Sequence, residues 1–164
     1  MRTLIPNAIS KEDIGSILSR YPSNCRIEDR WTDETIKDLV EQIKKHAPIL
    51  AGGKSYLRVE TQGQGHPPHY DGCTQDFQPN HMSWCAYSAV MLLTDPESFK
   101  GGEFQFLEPE ERHRGDLYGS LLIYSSGAHN DPQLHLSTPH RWGKRTMLLM
   151  FFEEDPNGTR PKTA

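Results

Sequence analysis

The sequence predicts an α+β fold in which a β-sandwich or barrel has helices packed on its outside. Two amphipathic helical segments come before residue 50, and a run of short strands follows Gly52 and Gly53. Helices followed by strands are typical of α+β proteins, and the lack of strand–helix alternation disfavours a doubly wound nucleotide-binding fold. We expect a single domain over residues 1–164, with a helical part over 1–50, a β core over about 55–153 and a flexible tail over about 155–164.

Each predicted helix carries its own start signal. Ser10 is placed to cap the segment SKEDIGSILSRY, with Asp13 in the capping-box position. The second helix is expected to begin near Thr32 or Asp33, to run through TIKDLVEQIKKH and to stop before Pro48. Apolar residues at helical spacing give both helices one buried face: Ile14, Ile17 and Leu18 in the first, and Ile36, Leu39, Val40 and Ile43 in the second.

The predicted strands are short, rich in aromatic and branched residues, and bounded by turn-forming residues. They are SYLRVET, AYSAVMLL, EFQF, SLLIYSS and TMLLMFFEE. The stretches AVMLL, LLIY and MLLMFF are apolar on both faces and should be central or covered, whereas YLRVE alternates and should have one wet face.

Composition argues against several functional classes. The net charge is −4 with a pI near 6.0, and basic residues are scattered, so we expect no nucleic-acid partner. The cluster Arg112-His113-Arg114 is interpreted as a solvated loop. No stretch is apolar enough for a membrane span, and MRTLIPNAIS does not resemble a signal peptide. Three widely spaced cysteines indicate reduced thiols, which predicts a cytoplasmic protein.

The segment GHPPHYDGC contains the most informative polar residues. An H-x-D triplet is expected by chance about half a time in a chain with eight His and ten Asp, so the motif alone is weak. Residues i and i+2 of an extended segment point to the same side, so His69 and Asp71 could bind one ion together. A third ligand must come from elsewhere, and the residues alone leave several candidates open: His81, His113, His129, His135 and His140.

Four ordered segments between about residues 55 and 152 resemble the iron(II)- and 2-oxoglutarate-dependent dioxygenases, most closely their prolyl 4-hydroxylase-like branch. They are HYD, AVMLLTDPESFKGGEFQF, GSLLIYSS and the segment that follows His135. In the last one the family spacing of His, Pro, Gly and Arg is met by His135, Pro139, Gly143 and Arg145, ahead of TMLLMFF. The resemblance implies a double-stranded β-helix, or jelly-roll, as the core over about 55–153.

The resemblance also implies roles for single residues. His69, Asp71 and His135 would be the Fe(II) ligands, a set of two histidines and one carboxylate that leaves coordination positions open. Arg145 would bind the distal carboxylate of the cosubstrate 2-oxoglutarate, for which a guanidinium fork is well suited. Lys144, a neighbouring cation, should face the other way and is the weaker candidate.

Two positions depart from the family pattern. A tyrosine that often helps to hold the cosubstrate is missing from AVMLL, where aliphatic residues stand instead. Tyr56 is our prediction for that role, with Tyr87 and Tyr124 as alternatives. His140 stands where the family usually has a small apolar residue. Because it is five residues after His135 in an extended segment, it should face the other way and bind no metal.

These implications predict an enzyme that hydroxylates an unactivated C–H bond, using Fe(II), 2-oxoglutarate and O2 and releasing succinate and CO2, with ascorbate as a further candidate cofactor. Retention of Asp71 favours hydroxylation over halogenation. A peptide or protein substrate of the prolyl hydroxylase type is expected, and GCTQDFQPNHMSW is a candidate lid over it. The alternatives are a hydroxylase of a free amino acid or another small molecule, a non-catalytic metal-binding sensor module and a purely structural sandwich.

Overall fold

The structure is a computed structural model that describes residues 1–28 and 31–158. In chain order its elements are β1 (Arg2–Ile5), α1 (Lys11–Arg20), β2 (Cys25–Arg26), α2 (Glu34–Lys44), β3 (Ser55–Gln62), β4 (His66–His69), β5 (Cys85–Leu92), β6 (Lys100–Gly101), β7 (Phe104–Leu107), β8 (Glu110–His113), β9 (Leu121–Ser125), β10 (His135–Ser137), β11 (His140–Trp142) and β12 (Arg145–Glu153). The two helices and the five strands predicted from the sequence all lie where they were expected.

The strands form one large and one small antiparallel sheet, as in a jelly roll. The large sheet has the order β1-β9-β5-β12-β3-β2, and the small sheet has the order β4-β10-β7-β8. A separate two-stranded ribbon pairs β11 with β6. Consecutive large-sheet neighbours are distant in sequence, so the sheet depends on long-range pairing rather than on hairpins.

Both helices begin at the caps that the sequence predicts. The Ser10 hydroxyl accepts a hydrogen bond from the Asp13 amide at 3.1 Å. The Asp33 carboxylate accepts hydrogen bonds from the amides of Thr35 at 3.0 Å and Ile36 at 3.2 Å. These contacts satisfy amides that have no partner inside the first turn of a helix.

Two apolar clusters lie on opposite faces of the large sheet. The first contains the buried residues of both helices together with alternate residues of the central strands, among them Leu57, Ala89 and Leu148. The second lies between the two sheets and contains Val90 and Phe106. Because the central strands contribute to both clusters, the prediction that they are apolar on both faces is confirmed.

Strand β3 alternates between buried and half-buried residues, as predicted. Leu57 and Val59 are fully buried in the first cluster. Tyr56, Arg58 and Glu60 face the other side, where they line a cavity rather than open solvent. The predicted wet face of this strand is therefore a wall of that cavity.

The interpretation of Arg112-His113-Arg114 as a solvated loop was wrong. Arg112 and His113 belong to β8, where His113 pairs with Phe104 across the small sheet. The His113 side chain is buried, with its Nδ1 atom 2.6 Å from Asp116 and its Nε2 atom 3.0 Å from Glu111. The local charge pattern could not reveal this position, because burial here comes from cross-strand pairing.

The predicted tail over about 155–164 lies mostly outside the described residues. The part that is described is hydrogen bonded: the Asp155 amide donates to the Pro48 carbonyl at 2.7 Å, and the Gly158 amide donates to the Asp155 carbonyl at 3.0 Å. Within residues 1–28 and 31–158, no helix combines the length and the apolar character that crossing a bilayer requires.

Candidate metal centre

The structure brings His69, Asp71 and His135 together at one end of the small sheet. His69 ends β4 and His135 begins β10, and the two residues are directly paired across these antiparallel strands. The Asp71 Oδ1 atom lies 3.2 Å from His69 Nε2 and 3.4 Å from His135 Nε2. One ligand atom from each residue lies within 4.8 Å of the others, and in the described part of the chain this is the one such group of three or more potential ligands.

Asp71 reaches the centre because the chain turns sharply behind it. The Gly72 amide donates to the Ser126 carbonyl at 3.0 Å. A Cβ atom at Gly72 would lie 2.4 Å from the Cys85 carbonyl oxygen and 2.6 Å from that of Ser126. Only glycine allows this close approach of three backbone segments.

The two oxygens of Asp71 have different environments. Its Oδ2 atom accepts hydrogen bonds from the Ser88 hydroxyl and the Tyr124 hydroxyl, both at 2.8 Å. Its Oδ1 atom faces the two imidazoles instead. The hydroxyls therefore hold the carboxylate so that a single oxygen points into the centre.

The electrostatics of the centre favour an ionised carboxylate. Burial by itself would raise the pKa of Asp71, but the charge and hydrogen bond of His135 and those of His69 outweigh it, so its pKa lies well below the ordinary value. Burial would likewise lower the pKa of His69, but the hydrogen bond and charge of Asp71 raise it.

Backbone carbonyls orient both imidazoles. His69 Nδ1 donates to the Pro67 carbonyl at 3.0 Å, and His135 Nδ1 donates to the Gln133 carbonyl at 2.8 Å. With the Nδ1 protons used in this way, the Nε2 lone pairs are free to bind a metal. Two such nitrogens and one carboxylate oxygen fit the donor set of a non-haem Fe(II) site.

Arg145 lies in the same cavity as the three potential ligands. The cavity has a volume of about 720 Å³. The guanidinium is buried, donates to the Gly102 carbonyl at 2.8 Å and to the Ser137 hydroxyl at 2.5 Å, and its Nε atom has no hydrogen-bond partner among the described residues. Burial lowers the pKa of Arg145 to about 10. A buried cation with a free donor fits the carboxylate of a cosubstrate.

The turn before β12 explains why the pattern that begins at His135 has a glycine at position 143. Gly143 has a φ of +73°, and a Cβ atom there would lie 2.5 Å from the Ser98 carbonyl oxygen. Any other residue would strain this turn. Gly143 thereby sets the direction from which Arg145 enters the cavity.

Tyr56 lines this cavity but lies far from Arg145. In the pairing of β3 with β12, Tyr56 is opposite Phe151, whereas Arg145 is opposite Gln62. Six residues of strand separate the two levels, which is roughly 20 Å. This separation disfavours one small cosubstrate touching both side chains, and the role of Tyr56 stays a prediction.

The two alternative tyrosines lie in different places. Tyr124 contacts Asp71 directly and has its hydroxyl 3.5 Å from His135 Nε2. Tyr87 is buried in the cluster on the other face of the large sheet. Neither the Tyr124 contact nor the Ser88 contact was predicted, because both residues lie within apolar strand patterns.

The other histidines lie outside the group of three. The His140 ring packs against Phe99 with ring centroids 5.7 Å apart, and burial followed by the charge of Arg145 lowers its pKa. His66 is closer to the centre than a solvated loop residue would be, since its ring lies 4.2 Å from that of His69. His81 lines the same cavity.

No family model matches the chain. Curated relatives are the PKHD-type hydroxylases YbiX of Escherichia coli O1:K1 and of Shigella dysenteriae serotype 1, each 32% identical over 99 residues, which is 60% of this chain and 40% of the relative. The chain thus matches less than half the length of these relatives.

Solved structures share the fold. The 2-oxoglutarate complex of viral collagen prolyl hydroxylase vCPH from Paramecium bursaria Chlorella virus-1 superposes with a TM-score of 0.69 at 15% identity, covering 94% of this chain and 96% of that one. A prolyl-4-hydroxylase from Pseudomonas putida superposes with a TM-score of 0.65 at 17% identity, covering 98% and 88%. The predicted resemblance to the prolyl 4-hydroxylase-like branch of the Fe(II)/2-oxoglutarate dioxygenases is therefore confirmed at the level of the fold.

Proposed function

We propose that this chain is an Fe(II)- and 2-oxoglutarate-dependent dioxygenase that hydroxylates an unactivated C–H bond. The observation that carries the proposal is the convergence of His69, Asp71 and His135 in one cavity with the buried, incompletely bonded guanidinium of Arg145. A plain metal-binding module has no use for such a buried cation, which argues for the enzyme over the sensor.

In this proposal His69, Asp71 and His135 hold the metal and Arg145 binds the distal carboxylate of 2-oxoglutarate. When bound, Fe(II) and 2-oxoglutarate would supply the oxidising chemistry that uses O2, with succinate and CO2 as products. The protein holds the residues that bind the metal and 2-oxoglutarate in position before either ligand is bound. This is the usual contribution of a protein to cofactor chemistry.

Ser88 and Tyr124 fix the orientation of the Asp71 carboxylate. Because both hydroxyls donate to Oδ2, only Oδ1 is left to bind the metal. A carboxylate that binds through one oxygen leaves more positions open for other ligands. Bound to the metal, the same carboxylate would take the place of a halide, which favours hydroxylation over halogenation.

Apolar side chains enclose the reacting centre. Val90, Phe104, Met147 and Leu149 line the cavity between the two sheets. They would keep bulk water away from a bound metal and from the reacting part of the substrate.

For the substrate we propose a peptide or protein of the prolyl hydroxylase type. Two considerations support this choice: the structural neighbours are named as prolyl hydroxylases, and the cavity extends beyond the metal centre to Tyr70, Met82 and Trp84. The last two belong to the segment that the sequence predicts to be a lid.

Anaerobic titration tests this proposal. Fe(II) and 2-oxoglutarate are titrated without O2, and succinate is then measured after O2 is admitted, with and without proline-containing peptides and with and without ascorbate. We expect both ligands to bind and succinate to form. Binding without succinate under every condition would favour the sensor, and no binding at all would contradict both the enzyme and the sensor.

Two variants make the titration specific. Asp71→Ala should abolish succinate formation, because it removes a ligand and leaves two imidazoles alone. His140→Ala should leave metal binding nearly intact, since His140 lies outside the group of three. Loss of metal from the His140 variant would overturn our assignment of the ligands.

A further inference from the structure

The cavity contains a second arginine that the proposed chemistry does not use. Arg58 lies on β3 and points to the cavity side, between Tyr56 and Glu60 on the same face of the strand. Its side chain is 29% exposed and lines the cavity that also contains His69, Asp71 and His135.

The guanidinium of Arg58 is incompletely bonded. Its Nε atom is buried and has no hydrogen-bond partner in the described part of the chain. Its ion pair with Glu60 is loose, with 3.7 Å between Arg58 Nη2 and Glu60 Oε2. Glu60 is held instead by the Gln62 side-chain amide, which donates to its Oε1 atom at 2.7 Å. A half-buried cation with an unused donor is costly unless a ligand completes its bonding.

Arg58 lies too far from Arg145 to bind the same small molecule. In the register of β3 with β12, Arg58 is opposite Leu149, whereas Arg145 is opposite Gln62. These levels are four residues apart, which is roughly 13 Å along the strand. Glu60 lies between them, so a carboxylate separates the two cationic positions.

The surroundings of Arg58 suit a ligand that is partly apolar and negatively charged. Tyr56 and Phe151 lie side by side on the cavity wall, with ring centroids 6.1 Å apart. Two further cations border this end: the Arg26 guanidinium lies 5.0 Å from the centroid of the Tyr56 ring, and Lys54 Nζ lies 5.3 Å from that of Trp84. Arg26 is also directly opposite Arg58 in the β2–β3 pair, and its own charge is paired with Glu28, whose Oε1 atom lies 3.2 Å from Arg26 Nε.

We propose that Arg58 binds the α-carboxylate of the substrate, so that the cavity takes a free amino acid or the C-terminal residue of a peptide. This inference rests on the proposed function, because it assigns the substrate end of the same cavity. The guanidinium fork of Arg58 meets the carboxylate, and the aromatic wall of Tyr56 and Phe151 holds the apolar part of the substrate.

Calorimetric titration without O2 tests this assignment on protein loaded with Fe(II) and 2-oxoglutarate, so that no turnover occurs. The probes are L-proline and Gly-Gly-L-proline, each compared with its C-terminal amide. We expect the acids to bind about tenfold or more tightly than the amides, as a charge-assisted hydrogen bond implies. Binding of only the amino acid or only the peptide acid would identify the source of the carboxylate.

Three variants complete the design. Arg58→Gln should remove the preference for acids while leaving 2-oxoglutarate affinity unchanged, which also shows that the site is folded. Arg58→Lys should retain part of the preference. Arg112→Gln is the matched control, because that arginine is 63% exposed on β8, away from the cavity.

Several outcomes would overturn the assignment. Equal binding of acids and amides would do so, as would an unchanged preference in Arg58→Gln or no binding of either acid to protein that binds 2-oxoglutarate. Failure of Fe(II) and 2-oxoglutarate to bind the unaltered chain is a different result, since it removes the proposed function itself and this inference with it.

Discussion

Asp71 is the residue whose surroundings say most about the centre. Two hydroxyls hold its Oδ2 atom at 2.8 Å each, and they come from strands that are remote in sequence. Ser88 also lies 2.6 Å from the Ser126 hydroxyl, so a short chain of hydroxyls extends the support. Such outer contacts would orient Asp71 for the metal that we propose it binds.

Removing these hydroxyls should weaken metal binding without unfolding the protein. Tyr124→Phe and Ser88→Ala each free the Oδ2 atom of Asp71 to rotate, and we expect about a tenfold loss of Mn(II) or Fe(II) affinity for each. Electron paramagnetic resonance of bound Mn(II) measures this affinity directly. Ser19→Ala is the control, because that exposed hydroxyl lies on α1 and donates to the Ser16 carbonyl within the same helix. Unchanged affinity in both test variants would show that Asp71 needs no such support.

Among the elements, β3 and β12 differ most clearly between their two faces. One face of each strand packs in the first apolar cluster, with Leu57 and Leu148 among its residues. The other face lines the cavity and carries Arg58 and Arg145. The same pair of strands therefore stabilises the fold on one side and places charged side chains in the cavity on the other.

The requirement for glycine in the turn that precedes β12 can be tested by adding one methyl group at position 143. Gly143→Ala places a Cβ atom where the Ser98 carbonyl lies and forces a non-glycine residue to adopt a φ of +73°. We expect a loss of about 1–3 kcal/mol in the free energy of unfolding. We also expect weaker 2-oxoglutarate binding, because Arg145 lies two residues after Gly143 and would be displaced with the turn. Urea unfolding and ligand titration measure the two effects.

Gly15 provides the matched control for that substitution. It lies inside α1, where an added Cβ atom would meet nothing within 4 Å and the helical backbone needs no positive φ. Gly15→Ala should therefore raise the free energy of unfolding by about 0.5–1 kcal/mol. A destabilised Gly15 variant, or an unaffected Gly143 variant, would contradict this account of the two positions.

Asp33 links the two helices and should give them a pH dependence. Burial would raise the pKa of its carboxyl group, but hydrogen bonds from Tyr21 and the Ile36 amide, and the nearby Arg20, lower it overall. A group with a depressed folded pKa stabilises the protein above its unfolded value of about 3.9, and this contribution is lost as pH falls through the folded pKa.

The expected result is a stability difference that shrinks in acid. Asp33→Asn should be less stable than the unaltered chain near neutral pH, and the two should converge as pH falls from about 5 toward 2. Urea unfolding across this range measures it. Asp38→Asn is the control, since Asp38 is exposed on α2. A difference that stays constant across the range would contradict a role for the ionised Asp33 carboxylate.

At the scale of the whole molecule, Arg2 connects the two sheets. It lies on β1 of the large sheet, and its guanidinium carbon lies 4.1 Å from the centroid of the Phe106 ring in the small sheet. Its Nε atom donates to the Gln133 side chain at 2.6 Å, and its Nη1 atom lies 3.2 Å from Glu111. Gln133 in turn supplies the carbonyl that orients His135.

Replacing Arg2 should loosen the contact between the sheets. Arg2→Met retains an apolar stem but loses the charge-assisted hydrogen bonds, so we expect a loss of about 1–3 kcal/mol in the free energy of unfolding. Arg112→Met, which removes an exposed arginine, should change it by about 0.5 kcal/mol or less. Equal effects of the two substitutions, measured by urea unfolding, would show that Arg2 does not hold the sheets together.

The local sequence determined the elements and part of the centre. Helix caps such as Ser10 and Asp33, the alternation in β3 and the i, i+2 relation of His69 and Asp71 depend only on neighbouring residues, so they could be predicted. The choice of His135 among several histidines, and the choice of Arg145, came from spacing shared with a known family.

Only the tertiary structure decided what surrounds these residues. Ser88 and Tyr124 reach Asp71 from 17 and 53 residues away, and Arg58 becomes a cavity residue because β3 faces the small sheet. The sequence predicted a solvated His113, but its side chain is buried because β8 pairs with β7 in the small sheet. Strand pairing between distant segments is set by the burial of the whole apolar surface, and that quantity cannot be read from any short stretch of the chain.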